Sequence, residues 1–294
     1  MSATSLSLRG GTLPVERPVL MGIVNATPDS FSDAQRPKQP SELVALAERL
    51  SADGAELIDV GGESGRTDRP AVPVEEEIAR VVPLVERLAG LGMLVSVDTW
   101  RAPVARAALD AGAAMINDAS GLSEPDVAGA CAEAGAALVV THTRTPPKQK
   151  AYPVYDDVVD DVVSFLAERS AEARRRGVAD EAIVLDPGVD LAKTPAESVT
   201  VLRRLADVRA LGRPLLLALS RKDFIGVITG RVPSERLAGT LAAVGAVATG
   251  PGSILRVHDV AAVRDFLDVR AALTGDAELS QELRLAEELR REPA

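Results

Sequence analysis

The sequence is poor in aromatic residues, histidine and cysteine. Only 2% of its 294 residues are aromatic, two are histidines and one is a cysteine. The lone Cys131 cannot form an intramolecular disulfide, which excludes a disulfide-stabilised scaffold and is typical of a reducing compartment. The two histidines lie far apart in the sequence, so the chain offers little for a zinc site built from histidine and cysteine.

The sequence also lacks an excess of positive charge and any segment that directs a chain to a membrane. The formal net charge of -10 argues against nucleic acid as a general partner, because a phosphate backbone requires a basic surface. Residues 1–11 lack the apolar core of a secretory signal, and glycine and proline at 250–252 interrupt the longest uncharged stretch, 237–255. We therefore expect a cytoplasmic protein that binds neither nucleic acid nor membrane. A local cationic pocket stays compatible with this charge.

What the chain does contain is a repeating alternation of apolar runs and helical patterns. Each of the eight runs ends in a polar residue, and the segments between them place apolar residues at helical spacing, such as Leu43, Ala47 and Leu50. Apolar strands that alternate with helices predict a parallel sheet buried on both faces. Eight such units in roughly 250 residues predict a single α/β domain with the (β/α)8 TIM-barrel fold. The runs are 19–25, 57–63, 94–99, 115–120, 138–143, 183–188, 215–220 and 254–259.

An open, doubly wound sheet is the alternative architecture for this pattern. It is disfavoured because no Gly-x-Gly-x-x-Gly sequence follows the first run. No low-complexity linker divides the chain, so we predict one barrel domain over residues 1–275. Residues 276–294 are rich in charge and are predicted to form a solvated helix or a frayed tail.

Polar side chains follow the predicted strands. In a TIM barrel the active site lies at the carboxyl ends of the strands, so these side chains are expected to converge. Any one of them has an ordinary explanation, because polarity must begin where a buried strand ends. The set as a whole includes both histidines and favours a functional site. It consists of Asn25, Glu63, Asp98, Asn117, His142, Asp186, Ser220, Lys222, Arg256 and His258.

The cationic and titratable members of this set are suited to an anion. Arg256 and His258 are two residues apart in an extended segment and share one face, and Lys222 adds a second cation. Together they predict a site for a phosphate or diphosphate. Asn25 offers an oxygen near the anion, which suits a Mg2+ ion bound mainly by water and substrate.

The remaining side chains mix hydrogen-bond donors and acceptors. An aspartate can bind an amidine-like N–C–N edge, and an asparagine can pair with a ring nitrogen. This mixture predicts a flat heterocycle with amide and amino edges as the ligand. The residues concerned are Asp98, Asn117 and Asp186.

Seven short motifs resemble the dihydropteroate synthase family and occur in its order over almost the whole chain. Each one alone is a weak signal, but together they are specific for this family of pterin-binding barrels. The motifs are 21–33 (MGIVNATPDSFSD), 59–64 (DVGGES), 96–99 (SVDT), 116–121 (INDASG), 185–188 (LDPG), 220–222 (SRK) and 256–259 (RVHD).

The resemblance implies a condensation of 6-hydroxymethyl-7,8-dihydropterin diphosphate with p-aminobenzoate, which yields 7,8-dihydropteroate and pyrophosphate in folate biosynthesis. It also implies a homodimer, and a Mg2+ ion bound through Asn25. The catalytic residues that it implies are Asp98, Lys222 and Arg256. The substrate-binding residues that it implies are Asn117, Asp186, Ser220, His258 and Arg66. By the same resemblance, Arg256 and His258 would hold the diphosphate.

The chain departs from the family pattern on the side where the aminobenzoate would bind. The loop 61–70 reads GGESGRTDRP, without the usual Thr-Arg-Pro-Gly, and it is one of two predicted lids, the other being 26–40. After the motif 185–188, an expected aromatic residue is replaced by Leu191, and Asp190 adds a negative charge. A usual Met-His-Met is Thr141, His142 and Thr143. A carboxylate substrate is expected to be repelled by Asp190 unless an arginine compensates.

These departures leave two other functions open. The first is a pterin-binding paralogue with weak or no synthase activity. The second is a folate-binding methyltransferase module, which is less favoured because such modules usually work beside a cobalamin-binding domain. The helix predicted over 235–249 carries more apolar surface than a lone outer helix needs, which also favours a second copy of the chain as a partner.

Overall fold

Short apolar strands form the centre of the molecule. The computed structural model describes residues 4–27, 39–63, 69–247 and 250–290, and in these parts of the chain eight parallel strands close into a barrel. Two further strands pair as an antiparallel hairpin outside it. The strands are β1 (Ser5–Leu8), β2 (Gly11–Pro14), β3 (Val19–Asn25), β4 (Leu57–Gly61), β5 (Val95–Asp98), β6 (Met115–Asp118), β7 (Ala137–Thr141), β8 (Ile183–Asp186), β9 (Leu215–Leu217) and β10 (Ser253–Val257).

Helices surround the barrel and bury the outer faces of its strands. Between consecutive strands the chain returns through at least one helix, which is what parallel pairing of neighbouring strands requires. The α-helices of the described residues are α1 (Pro40–Ala52), α2 (Val74–Gly90), α3 (Ala102–Asp110), α4 (Asp126–Ala134), α5 (Val158–Arg175), α6 (Pro195–Arg203), α7 (Leu205–Arg209), α8 (Asp223–Thr229), α9 (Leu237–Val247) and α10 (Val260–Thr274). Short 3-10 helices cover Asp180–Ala182, Pro233–Glu235 and Glu287–Arg290.

The barrel confirms the predicted fold class and excludes the open sheet. Each of the eight apolar runs contains one barrel strand, and the last strand pairs with the first through Arg256 and Met21. The order around the barrel is β3, β4, β5, β6, β7, β8, β9 and β10. All parallel strands therefore end at the same side of the barrel, which is where the polar motifs lie.

The amino-terminal hairpin was not predicted from the sequence. Its signal is the alternation in 5–8, where Leu6 and Leu8 are buried and the residues between them are not. The backbone N–H of Gly252 donates to the carbonyl oxygen of Val15 at 2.7 Å, just before β10 begins. The hairpin thus lies at the amino-terminal end of the barrel, opposite the predicted site.

The carboxyl-terminal segment of the described residues is exposed, and the single cysteine is buried. α10 ends before Gly275, whose φ of +81° is the left-handed conformation that terminates a helix, and residues 276–290 are exposed. Cys131 is buried on α4, and burial raises the pKa of its thiol to about 12. Among the described residues, no helix is both long enough and apolar enough to span a bilayer.

Candidate active site

The carboxyl ends of the first barrel strands place polar side chains in one row. In the sheet register, Asn25 at the end of β3 pairs with Gly61, Gly61 pairs with Asp98, and Asp98 pairs with Asn117. Because residues paired across parallel strands point to the same face, these side chains share the barrel interior. Gly61 leaves a gap in this row, and a Cβ added there would lie 3.4 Å from the Asn25 Oδ1 atom.

Arg256 joins this row from β10, the strand that pairs with β3 and closes the barrel. Its Nε atom donates to Asp59 Oδ2 at 2.6 Å, and its Nη2 atom donates to Asp98 Oδ2 at 2.9 Å. Asn117 Nδ2 donates to the same Asp59 oxygen at 3.1 Å. The Arg256 side chain keeps 19% of its surface exposed, so part of the guanidinium faces the barrel mouth. The guanidinium therefore bridges two carboxylates while remaining within reach of a ligand.

Asp59 was not among the site residues predicted from the sequence. Its carboxylate is completely buried, and its Oδ1 atom has no hydrogen-bond partner among the described residues. A usable signal exists, because a charged residue interrupts the otherwise apolar run of β4 at an inward-facing position. A buried carboxylate requires a cation, and Arg256 meets that requirement.

The environment of Asp98 disfavours the ionised carboxylate. Burial raises the pKa of Asp98 to about 7, Arg256 lowers it, and the neighbouring carboxylate of Asp59 raises it again. A carboxyl group that titrates near neutral pH can accept or donate a hydrogen bond as a ligand requires. This position suits a ligand with both donor and acceptor edges.

Asp186 and Lys222 form a second part of the site, at the ends of β8 and β9. Asp186 Oδ1 accepts from the backbone N–H of Gly188 at 2.7 Å, and Lys222 Nζ donates to the carbonyl oxygen of Val189 at 2.9 Å. Burial raises the pKa of Asp186, whereas the charges of Lys222, Lys193 and Arg256 lower it. Lys222 and Arg256 are therefore both near enough to Asp186 for their charges to act on its carboxylate.

Ser220 and His258 pair at the rim. The Ser220 Oγ atom lies 3.0 Å from His258 Nδ1 and accepts from the His258 backbone N–H at 3.3 Å. The hydroxyl hydrogen is then free to donate to Nδ1, which leaves Nε2 of a neutral imidazole as an N–H donor. Desolvation, Arg221 and Arg256 lower the pKa of His258, so the ring is neutral near pH 7. Arg221 itself forms a bidentate ion pair with Asp259.

Some residues of the predicted set are not among the clustered side chains. Arg66 and most of the two predicted lids lie outside the described residues. Glu63, at the base of the second lid, forms an ion pair of 3.0 Å with Arg101 rather than facing the barrel mouth. His142 is fully buried, and its Nε2 atom lies 2.8 Å from Asp161 Oδ1. Neither Glu63 nor His142 is therefore positioned to contact a ligand held by Asp98.

The residues available for a metal are few. Within the described part of the chain, no group of three or more histidine, cysteine or acidic side chains could enclose a metal ion. Asn25 is half-buried, and no described residue hydrogen-bonds to its side-chain amide. A single amide oxygen fits a Mg2+ ion that takes its other ligands from water and from a substrate anion. It does not fit a metal held mainly by protein side chains.

A cavity of about 850 Å3 opens beside the cluster; no clustered side chain lines it, but the nearby residues Trp100, Ser120 and Asp223 do. Its walls come from the loop after β7, the turn after β8 and α8, and Leu191 and Asp190 lie on one wall. One oxygen of the Asp190 carboxylate, Oδ2, accepts from the backbone N–H of Asp223 at 2.6 Å and of Phe224 at 3.3 Å, whereas its Oδ1 atom is buried without a hydrogen-bond partner among the described residues. Asp190 therefore caps α8, and the repulsion expected from the sequence is reduced.

Comparison with known proteins gives consistent matches. Residues 21–258 match the family described as pterin binding enzyme. Dihydropteroate synthase of Escherichia coli is 40% identical over 257 residues, which are 87% of this chain and 91% of the relative. A protein of Mycobacterium tuberculosis named inactive dihydropteroate synthase 2 is 41% identical over 278 residues, or 92% and 87% of the two chains. The chain spans 29% of a probable bifunctional folylpolyglutamate synthase/dihydropteroate synthase of Haloferax volcanii, with 41% identity over 242 residues.

Solved structures match over nearly their full length. Xanthomonas albilineans dihydropteroate synthase with 4-aminobenzoic acid has a TM-score of 0.84 and 42% identity, covering 93% of this chain and 99% of the other. Burkholderia cenocepacia dihydropteroate synthase complexed with 7,8-dihydropteroate has a TM-score of 0.85 and 40% identity, covering 94% and 98%. The family match, residues 21–258, includes the strand ends that carry the clustered side chains.

Proposed function

The chain belongs to the pterin-binding enzyme family, and we propose that it acts as a dihydropteroate synthase. The reaction condenses 6-hydroxymethyl-7,8-dihydropterin diphosphate with p-aminobenzoate and releases pyrophosphate. The observation that carries the proposal is the convergence of Asp98, Asn117, Asp186, Lys222 and Arg256 at the carboxyl ends of the barrel strands.

Each of these side chains combines a structural bond with a remaining polar group. Asn117 uses its Nδ2 atom on Asp59 and keeps its Oδ1 atom, while Asp186 uses Oδ1 on Gly188 and keeps Oδ2. Lys222 uses one N–H on Val189 and keeps two donors. Groups that are held in place by one bond and offer another are preorganised for a ligand. They would hold the pterin ring, with carboxylates at its amidine edge.

The diphosphate would lie toward Arg256 and His258. Arg256 has guanidinium N–H groups beyond those bonded to Asp59 and Asp98, and the His258 Nε2–H faces the rim. Asn25 would hold Mg2+ through its amide oxygen, and the bound ion would neutralise charge on the leaving diphosphate. Breaking of the carbon–oxygen bond leaves positive charge on the pterin methylene group, which the carboxylates of Asp98 and Asp186 would stabilise.

The acceptor amine needs placement more than activation. An aniline is neutral and nucleophilic at pH 7, so orientation next to the methylene carbon is its main requirement. The cavity beside the cluster, with Leu191 on its wall, offers space for the ring of p-aminobenzoate. Arg66 would bind the acceptor from the second lid.

The proposal is tested by pyrophosphate release from the pterin diphosphate with and without p-aminobenzoate, in the presence of Mg2+. We expect release that depends on p-aminobenzoate and that is lost in Lys222→Ala. A substitution near the carboxyl end of α5, Glu172→Gln, where the side chain pairs with Arg175 and Arg176, is the matched control and retains activity. Absence of release from the folded wild-type chain would contradict a synthase.

A second candidate function has support from a specific observation. A relative named inactive dihydropteroate synthase 2 is as similar to this chain as the synthases are, so identity alone does not separate the two functions. The replacement of the expected aromatic residue by Leu191 lies on the acceptor side. A non-catalytic protein of this kind would bind the pterin diphosphate but release no pyrophosphate when p-aminobenzoate is added.

The proposed assembly is a homodimer that acts in the cytoplasm. Support for a second copy comes from large exposed apolar side chains on and near α8 and α10, namely Val227, Ile228, Val232, Val269 and Leu273. α9 lies between these helices and is almost free of charge. An exposed apolar surface of this kind favours contact with another protein surface. The sparse use of cysteine supports a reducing compartment.

A further inference from the structure

The largest fully buried side chain of the described residues belongs to Lys193, which the proposed reaction does not use. Only 1% of the residue is exposed. Its Nζ atom lies 2.6 Å from His142 Nδ1, 3.0 Å from the carbonyl oxygen of Gly188 and 3.1 Å from that of Leu191. The carbonyl oxygen of His142 lies farther away, at 3.5 Å, so the three N–H donors of an ammonium group match the three shorter contacts.

The imidazole of His142 connects Lys193 to Asp161 on α5, outside the barrel. Burial and Lys193 lower the pKa of His142 to about 4, so the ring is neutral. Its Nε2–H donates to Asp161 Oδ1 at 2.8 Å, which leaves Nδ1 as the acceptor for Lys193. Asp161 also receives both arms of the Arg144 guanidinium, at 2.9 and 2.8 Å. Donors and acceptors therefore alternate from Arg144 to Lys193.

The backbone that Lys193 contacts is strained. Gly188, Asp190 and Ala192 have φ values of +67°, +61° and +50°. The two residues with side chains cost about 1–2 kcal/mol each in this left-handed conformation, so the turn persists only if other contacts hold it. Lys193 donates to two carbonyl oxygens of the turn. The Tyr155 hydroxyl group donates to a third, that of Ala192, at 2.7 Å.

The same turn positions Lys222. The Val189 carbonyl oxygen accepts from Lys222 Nζ, and the Asp190 carboxylate caps the first amides of α8, directly after Lys222. A side chain at Gly188 has no space, because an added Cβ would lie 1.9 Å from the His142 carbonyl oxygen. Displacement of the turn would therefore move the partner of Lys222.

We propose that Lys193 and His142 are positioning residues, which hold the turn 188–192 and through it place Lys222 for the pterin. This inference rests on the proposed function, in which Lys222 binds that ring. Neither residue touches the ligand. The protonated form of Lys193 is the one that satisfies all three acceptors, since a neutral amine has two N–H donors for three acceptors.

Protonation of Lys193 gives the proposal a measurable signature. Burial lowers the pKa of Lys193 to about 7, and Asp186 and Asp161 oppose that effect. Removal of the Asp161 charge therefore lowers the pKa further. The charged and titratable groups around Lys193 are His142 and Asp186 at strand ends, Arg144 and Tyr155 in the loop after β7, Asp161 on α5, Glu197 on α6 and Lys222 before α8.

The test measures binding of 6-hydroxymethyl-7,8-dihydropterin, the free pterin alcohol, by calorimetry. The pH runs from about 6 to about 9, a range that brackets the pKa of Lys193. The alcohol carries no phosphate, so its own charge does not change in the range. In the wild-type chain we expect affinity to fall as the pH rises through the pKa of Lys193. Asp98 titrates in the same range, so the comparison between variants that leave Asp98 unchanged is what assigns the fall to Lys193. In Asp161→Asn the fall moves to lower pH, whereas Glu172→Gln, an acid-to-amide change at the exposed end of the same helix, leaves it in place.

Lys193→Met removes the ammonium group and retains the length of the side chain. We expect pterin affinity to drop by about 10- to 100-fold, the usual effect of losing a residue that supports a ligand-binding group. If that variant does not fold, as judged by circular dichroism, the pH profile of Asp161→Asn decides. Wild-type pterin affinity in Lys193→Met would refute the positioning role but not the proposed function. Identical pH profiles for Asp161→Asn and Glu172→Gln would do the same. Failure of the wild-type chain to bind the pterin at any pH would refute the proposed function as well.

Discussion

At the scale of single residues, Arg256 combines a structural and a proposed ligand-binding task. The sequence places it beside His258 and assigns it to an anion. The structure adds that its guanidinium bridges the carboxylates of Asp59 and Asp98, which lie 197 and 158 positions earlier in the chain. No local pattern encodes that pairing, because it exists only once the last strand closes against the first.

Arg256→Gln is therefore expected to weaken the binding of both the pterin alcohol and the pterin diphosphate. It is also expected to destabilise the fold. Removal of the cation leaves the buried carboxylate of Asp59 and the half-buried one of Asp98 uncompensated, which costs about 3–5 kcal/mol in the free energy of unfolding near pH 7. Without Arg256 the pKa of Asp98 rises further above its unfolded value, so the folded state binds more protons than the unfolded state. The destabilisation must then shrink as the pH falls.

Denaturant unfolding of Arg256→Gln and wild type at about pH 5 and about pH 8 measures this effect on either side of the pKa of Asp98. Arg256→Gln combined with Asp98→Asn, which removes one of the two carboxylate charges, should recover part of the stability at the higher pH. A destabilisation that is equal at both pH values would show that the carboxylates are not its cause.

His258 is expected to take up a proton when the diphosphate binds. In the free protein its pKa is lowered by desolvation and by Arg221 and Arg256, and a bound anion opposes those cations. At about pH 6 the wild-type chain should therefore take up more protons with the pterin diphosphate than His258→Gln does. Calorimetry in two buffers of different ionisation enthalpy measures the difference. Equal proton uptake by the two proteins would place the diphosphate away from this ring.

At the scale of elements, the turn after β8 connects the two halves of the site. Asp190 in this turn adopts a left-handed conformation and caps α8 through two backbone amides. The sequence indicates only that a charge stands where an aromatic-containing loop is usual. The capping role depends on α8 beginning next to this turn, which sequence spacing does not reveal.

Asp190→Ala should lower the free energy of unfolding by about 2 kcal/mol. This is the upper part of the range for a missing helix cap, since the β-carbon that positive φ disfavours is present in both aspartate and alanine. Asp190→Asn keeps an acceptor oxygen and tolerates this conformation, so its loss should stay below about 1 kcal/mol. Chemical denaturation of both variants tests the assignment. Equal losses in the two would show that the cap contributes nothing.

The strands were largely predictable, and the hairpin and loops were not. Continuous runs of Val, Ile and Leu determine a buried parallel strand almost by themselves, as β3 at Val19–Asn25 illustrates. The hairpin before it has four-residue strands, too short for a periodic signal to stand out. Lys193 carries no signal in the sequence, because burial of a lysine cannot be seen without the carbonyl oxygens that surround it.

At the scale of the whole molecule, the surface of α8, α9 and α10 carries large apolar side chains that a lone barrel would leave exposed to water. Val227 and Ile228 are each 70% exposed and Leu273 is 83% exposed. If two copies meet there, Ile228→Glu should place a charge in the interface and yield a monomer. Sedimentation velocity compares it with wild type, and Val154→Glu, at an exposed apolar position in the loop after β7, is the matched control. A monomeric wild-type chain would contradict the homodimer.

The whole account depends on one pocket at the carboxyl ends of the barrel strands. A crystal structure with the pterin diphosphate and Mg2+ tests it most directly. We predict the bicyclic ring between Asp98, Asn117 and Asp186, with the diphosphate beside Arg256 and His258. A ligand found instead in the cavity lined by Leu191, with the Asp98 cluster free of it, would contradict the account.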